Sequence, residues 1–209
     1  TADVLIESFR PGALAEIGFG YEQLKAEFPE LVYLSITPFG QTGPYAQYHA
    51  WEITTYALSG LMSITGEPAS GPTRAGFALC DTIGGITAAL AVASALYQRT
   101  HTGRGQLVDV AMLDAALAFI AGPLSEYTVA GVEQKQIGNG SVSRKPTASR
   151  FRCGGGYLVL AVLTEKQFVG LMKVLGRPDA LADPRFKDWP ARTGNEPAFV
   201  QPILPSLED

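Results

Sequence analysis

The sequence predicts an α/β protein built on a parallel sheet, followed by the start of a smaller α+β domain. Three observations carry this. Two short apolar runs, Val4-Leu5-Ile6 and Leu31 to Ile36, are continuous rather than alternating, as in a sheet covered on both faces. A helical stretch separates them, and a loop dense in breakers, Thr37 to Pro44, follows the second. That rhythm belongs to sheets that bind ligands at strand C-termini. A long uncharged run then opens behind an acid, Asp81, and two glycines, Gly84 and Gly85.

In chain order, Phe9-Arg10-Pro11-Gly12 forms the turn after the first strand, and a helix over Tyr21 to Glu27 is stopped by Pro29. Glu52 to Ile64 forms a helix closed by Gly66-Glu67-Pro68. Thr82 to Arg99 forms the next, with Ile83, Ile86, Leu90, Ala93 and Tyr97 as its apolar stripe. Thr102-Gly103-Arg104-Gly105-Gln106 is a tight connection to a third helix, Val110 to Val129. This one is apolar nearly all round, which predicts burial, and Pro123 predicts a kink. Gln136 to Ser149 is polar and aperiodic, a linker or mobile loop. Phe151-Arg152-Cys153 and Tyr157 to Val162 read as a hairpin turning at Gly154-Gly155-Gly156. A helix from Glu165 to Leu175 ends at Gly176, with Pro178 beyond. The domains are therefore drawn at 1–131 and 150–209, with 132–149 between them.

Composition excludes several classes. Charged residues are 17% of 209, below the usual quarter, so extensive buried surface and an oligomer interface are expected. The net charge of −4, with no Lys/Arg block, argues against a nucleic-acid partner. Cys80 and Cys153 form no CxxC pair, and no secretory signal is visible, which favours a reducing, cytoplasmic setting. With His49 and His101 as its only histidines, a His-built metal site is not expected. The uncharged stretch Thr82 to Gln98 is short and rich in Gly, Thr and Ser for a membrane span, so no membrane partner is expected. The opening on a strand pattern without an initiator Met, and the stop at Leu207-Glu208-Asp209, read as an internal piece of a longer protein.

Asp81 is the candidate for chemistry. A carboxylate at a helix N-terminus meets the positive end of the macrodipole and the unpaired first N–H groups. It can serve as a nucleophile or general base, or as an N-cap worth about 1 kcal/mol.

Several segments, in order, resemble the family III CoA-transferases. They are Ala2 to Gly12, Phe39-Gly40-Gln41-Thr42-Gly43-Pro44-Tyr45, Ala57 to Met62, Asp81, Thr102 to Val110, Asp114-Ala115, and the hairpin Cys153 to Val162. The resemblance implies a partial Rossmann-like large domain with buried helices, the start of a smaller domain, and an interlocked homodimer. It implies no tightly bound cofactor, with a coenzyme A thioester as substrate and a carboxylic acid as acceptor. Asp81 falls on the family's catalytic aspartate, which passes through a mixed anhydride to an aspartyl-CoA thioester. CoA contacts fall on Ser8, Phe9 and Arg10, and on Thr37, Phe39, Gly40 and Gln41. A fragment of this extent, without its flanks and partner subunit, is expected to be inactive by itself.

The chain departs from the family in two places. Many relatives carry a basic residue near Glu16 or Ile17, where this chain has none, which predicts weaker CoA binding in that corner. The loop that closes over the site has no clear copy, and Gly138-Asn139-Gly140-Ser141 is nearest by position. An α-methylacyl-CoA racemase-like activity is the first alternative. It calls for a His-Asp step where this chain has Trp51-Glu52, with His49 two residues earlier. Glu52 is then a possible second acid or a first-turn helix carboxylate. A non-catalytic nucleotide-binding or interaction module is the second alternative.

Overall fold

The computed structural model describes residues 2–203. Thr1 and the last six residues of the predicted second domain, 204–209, lie outside the described residues. Two compact units result, one of Thr1–Thr65 with Ser70–Gln136, the other of Gly66–Ala69 with Ile137–Asp209.

The first unit is built on a three-stranded parallel sheet in the order β1-β2-β3, with β1 at Val4–Glu7, β2 at Val32–Thr37 and β3 at Leu107–Ala111. The central strand β2 is buried along nearly its whole length, which is why apolar residues fall on both of its faces, with Ser35 and Thr37 as buried polar exceptions. Edge strand β1 leaves Ile6 exposed. Two helices, α1 (Ala13–Glu16) and α2 (Tyr21–Glu27), join β1 to β2. The helix expected over Glu52 to Ile64 is two, α3 (Glu52–Leu58) and α4 (Leu61–Ile64). Gly60 separates them at φ 83°, a left-handed conformation that ends a helix and suits glycine.

The long helix α5 runs Leu79–Thr102, three residues beyond the expected span at each end, and Gly103 closes it in the left-handed region. Its buried positions are Cys80, Ile83, Gly84, Ala88 and Ala95, so within the stripe predicted from Ile83 to Tyr97 Ile83 alone is buried. Small residues face β2 and β3 and allow close approach, while Ile86, Leu90 and Tyr97 are exposed. Apolar spacing therefore selected the wrong face beyond Ile83. At 24 residues α5 is long and apolar enough to cross a membrane, so length does not exclude a span as the uncharged stretch had suggested. Its packing through Ala88 and Ala95 on Val32, Leu34, Val108 and Val110 makes it the core helix of an α/β unit.

Residues 107–111 correct the sequence reading again. They form β3 rather than a connection and the start of a helix, pairing with Tyr33–Thr37. The following helix breaks at Ile120 into α6 (Met112–Phe119) and α7 (Ala121–Ala130). Pro123 explains the break, since it cannot donate back to Phe119. Only Ala115 and Ala116 of α6 and no residue of α7 are buried, against the predicted all-round burial.

In the second unit, β4 (Ala148–Cys153) and β5 (Gly156–Ala161) form the expected hairpin, with β4 starting inside the stretch read as a linker. Gly154 and Gly155 make the turn, and Gly156 already pairs with Cys153. Helix α8 (Glu165–Val174) starts on a capping box, with Thr164 Oγ1 accepting from Gln167 N. Helices α9 (Pro178–Ala182), α10 (Trp189–Gly194) and α11 (Glu196–Ile203) follow. Phe168, Met172, Ala180, Phe186 and Phe199 form their core. The Arg192 guanidinium lies inside it, 3.6 Å from the Phe168 ring centroid.

Candidate active site

Asp81 is the third residue of α5, not its N-cap; that position is Ala78, which makes no side-chain cap hydrogen bond. Capping is done from elsewhere in the chain. Glu52, the first residue of α3, accepts the Cys80 backbone N–H through Oε1 at 3.3 Å, satisfying one of the orphan donors of α5. The Glu52 side chain is only 9% exposed, and its Oε2 lies 3.2 Å from Arg74 Nη2. The Asp81 carboxylate, by contrast, makes no side-chain hydrogen bond or ion pair among the described residues, and the residue is exposed.

The electrostatics follow from this placement. The protein packed around its inner side pushes the Asp81 carboxyl above the ordinary carboxylate range, Glu52 adds to the rise, and Arg74 works against it. A more basic carboxylate is a better nucleophile once ionised. The neighbouring thiol has no such role. Cys80 is fully buried, and burial pushes it up, with a Thr55 hydrogen bond opposing and Glu52 and Asp81 reinforcing the rise. A thiol so placed stays protonated. Gly84, one turn on, packs on Met112, where an added Cβ would lie 3.4 Å from its Cγ.

The residues matched to CoA contacts lie at the C-terminal ends of β1 and β2. Glu7, Ser35 and Asp109 stand in one row across the three strands. Gln41 ties the loop after β2 to this row, its Nε2 donating to Ser35 Oγ at 2.7 Å and its backbone N–H to Asp109 Oδ2 at 2.9 Å. Gly40, at φ 82°, brings the loop against Ala111 and Asp109. The Phe9 N–H donates to Glu7 Oε2, which shapes the turn after β1. Beside these strand ends lies a cavity of about 130 Å³ lined by Glu7, Arg10, Tyr33, Ser35 and Gln41, among others.

Arg10 and Gln41 thus share one cavity, whereas Ser8, Phe9, Thr37, Phe39 and Gly40 do not line it. Phe9 is exposed, and Phe39 packs against Tyr45 with ring centroids 5.6 Å apart. Thr37 is buried with its Oγ1 unpartnered. The Arg10 guanidinium is engaged by Glu16, both carboxylate oxygens at 2.7 Å from Nη2. His49 is exposed, and the His101 ring stays within its own helix end, 3.1 Å from the Tyr97 carbonyl. In the second unit, Gly138 donates to Gly66 O and Asn139 to Glu67 Oε1.

Sequence reasoning passed over Arg74, Glu7, Ser35 and Asp109. Arg74 sits in an irregular stretch, Gly66 to Phe77, with no motif to mark it. Ser35 could have been found as a polar interruption inside a strand-like run, where a buried polar side chain needs a stated partner.

The family model for CoA-transferase family III matches residues 1–207. An acetyl-CoA:oxalate CoA-transferase of Acetobacter aceti is 39% identical over 207 residues, 99% of this chain and 53% of its own length. A succinate–glutarate CoA-transferase of Agrobacterium fabrum is 38% identical over 196 residues, covering 94% and 49%. A solved CaiB/BaiF family protein from Brucella suis is similar with a TM-score of 0.89 at 34% identity, over 100% of this chain and 55% of that one. The chain spans about half the length of the curated relatives it matches. With sequence and fold both matched over nearly its whole length, the chain belongs to CoA-transferase family III.

Proposed function

We propose that this chain carries the nucleophile and part of the CoA site of an enzyme that moves CoA between carboxylic acids, with Asp81 as the covalent carrier. The observation that carries the reading is the unpaired, exposed Asp81 carboxylate in the first turn of α5, beside a helix end whose Cys80 N–H is already capped by Glu52. An Asp81 oxygen attacks the thioester carbonyl of the donor acyl-CoA. The C–S bond breaks, and CoA leaves as thiolate from a mixed anhydride. Thiolate then attacks the aspartyl carbonyl, releasing the donor carboxylate and leaving an aspartyl-CoA thioester. Attack by the acceptor carboxylate reverses the sequence, yielding the new acyl-CoA and free Asp81. Splitting one transfer into such steps is the purpose of a covalent carrier.

The substrate class follows from the relatives, whose names specify oxalate, succinate, glutarate and D-citramalate. A short dicarboxylic acid is accordingly proposed as donor or acceptor. Arg10 is proposed to meet a CoA phosphate, with Ser8, Phe9 and the Thr37 to Gln41 loop around it. Two interlocked copies of the full-length protein, working in the cytoplasm, complete the proposal.

Incubation of the full-length protein with acyl-CoA, followed by hydroxylamine, is expected to yield a hydroxamate at Asp81 by peptide mass. Absence of that adduct, with activity surviving Asp81→Ala, would sink the reading.

A further inference from the structure

Arg74 has a placement that the carrier role of Asp81 does not use. Its guanidinium stands 3.2 Å from Glu52 Oε2, an ion pair without hydrogen-bond geometry, and Glu52 accepts the Cys80 N–H at the start of α5 through its other oxygen. Yet 44% of the Arg74 side chain remains exposed. A guanidinium presents five N–H donors, so a single ion-pair contact leaves donors free beside the start of α5. Several other cations of this unit are engaged elsewhere: Arg10 with Glu16, Lys25 with Glu22, Arg99 with Asp3, Lys135 with Glu133. Among the described residues, Arg74 is the cation that acts on Asp81.

Resting on the carrier role of Asp81, we infer that Arg74 receives the reacting carboxylate of the acceptor acid, and does so only after Asp81 has been converted to its thioester. The timing comes from charge. In the free enzyme Glu52 pairs with Arg74 and accepts from the N–H of Cys80, the residue next to Asp81, so two carboxylates share one guanidinium and the site repels a free carboxylate. Forming the aspartyl-CoA thioester removes the Asp81 charge. Glu52 and Arg74 then balance, and the half-exposed guanidinium can accept an anion at close range. One acceptor oxygen rests on Arg74 while the other bonds to the aspartyl carbonyl carbon. The C–S bond breaks, and its electron pair leaves with the CoA thiolate. The thiolate then attacks the acyl carbonyl of the anhydride and returns Asp81 as carboxylate. An acid cannot occupy the site before a donor has loaded it.

The test uses the full-length protein carrying Arg74→Met and Arg74→Lys, with hydroxylamine trapping at Asp81 confirming in each that the nucleophile is formed. Loss of one charge-assisted hydrogen bond should raise the acceptor KM by ~10-fold or more in Arg74→Met. The acyl-CoA KM should change far less, and Arg74→Lys should recover part of the loss. Monocarboxylic and dicarboxylic acceptors should suffer alike. An acceptor KM that tracks the acyl-CoA KM, or a loss confined to dicarboxylic acceptors, overturns the inference. Failure to trap Asp81 in the unsubstituted protein overturns the carrier role instead, so the two failures are distinct.

Discussion

Glu52 holds an unusual position for a carboxylate. It is almost fully covered, accepts a helix N–H, and stands opposite a guanidinium. Its charge raises Asp81, so removing that charge should lower the pH at which Asp81 ionises. In Glu52→Gln the side-chain oxygen can still accept from Cys80, and Arg74 then acts unopposed in the same direction. The acid limb of the kcat/KM profile for acyl-CoA is expected to shift to lower pH; a limb that stays in place would refute this coupling. Arg10 offers a second test at the same scale. Its ion pair with Glu16 is exposed on both sides and competes with any phosphate ligand. Exposed pairs contribute little, so Glu16→Gln should tighten CoA binding by only about two- to fivefold, read by calorimetry, while Arg10→Gln weakens it. The family resemblance marked a missing basic residue near Glu16 or Ile17, but not that Glu16 would close on Arg10. That contact depends on the turn of α1, which no local pattern encoded.

At the scale of elements, the glycine turn after α5 constrains the sheet. A Cβ on Gly105 would stand 2.0 Å from Leu31 O and 2.3 Å from Leu31 C, while its N–H donates to Pro29 O at 2.9 Å. The obstacle is backbone, which cannot swing aside. Gly105→Ala is therefore expected to destabilise the first unit by about 3 kcal/mol, at the upper end for overpacking, measured as a lowered midpoint in urea. A midpoint unchanged within error would show that the turn can open. This element also marks where the sequence was legible. Helix α2 and the β4-β5 hairpin were plain from their own residues, because Pro29 and the glycine turn act locally. β3 was not, because Leu107–Ala111 is a strand only through pairing with Tyr33–Thr37. The buried face of α5 was hidden for the same reason: it is defined by the sheet it covers, and that sheet selects alanine over leucine.

For the molecule as a whole, each unit owes its stability to a different kind of core. In the first, the cluster between α5 and the sheet is wholly aliphatic. The second encloses Arg192, 2% exposed, which donates to Phe186 O and to both oxygens of Glu165. That hydrogen bonding holds the Glu165 carboxyl below its ordinary range. A depressed carboxyl contributes stability that is present above its unfolded pKa, near 4.3, and is lost as pH falls through the folded value. Acid should therefore loosen the second unit by this route, and Glu165→Gln should make its unfolding less pH-dependent below about pH 5. Glu165→Ala should cost roughly 2 kcal/mol at neutral pH, less than for a fully buried pair because Glu165 is half exposed. Equal acid sensitivity of parent and Glu165→Gln would count against this assignment.

The clasp between Glu52 and Cys80 also bears on how the first unit acquires its native state. The two residues are 28 positions apart, so the start of α5 is completed only when the intervening chain has folded back and closed a loop. The body of the helix can form early from its own alanines and leucines, but its first turn waits for α3. Asp81 thus takes its final setting only once that loop has closed. A chain arrested before that closure would keep most of its helical signal and have no working Asp81, which makes covalent trapping a more sensitive report of complete folding than circular dichroism.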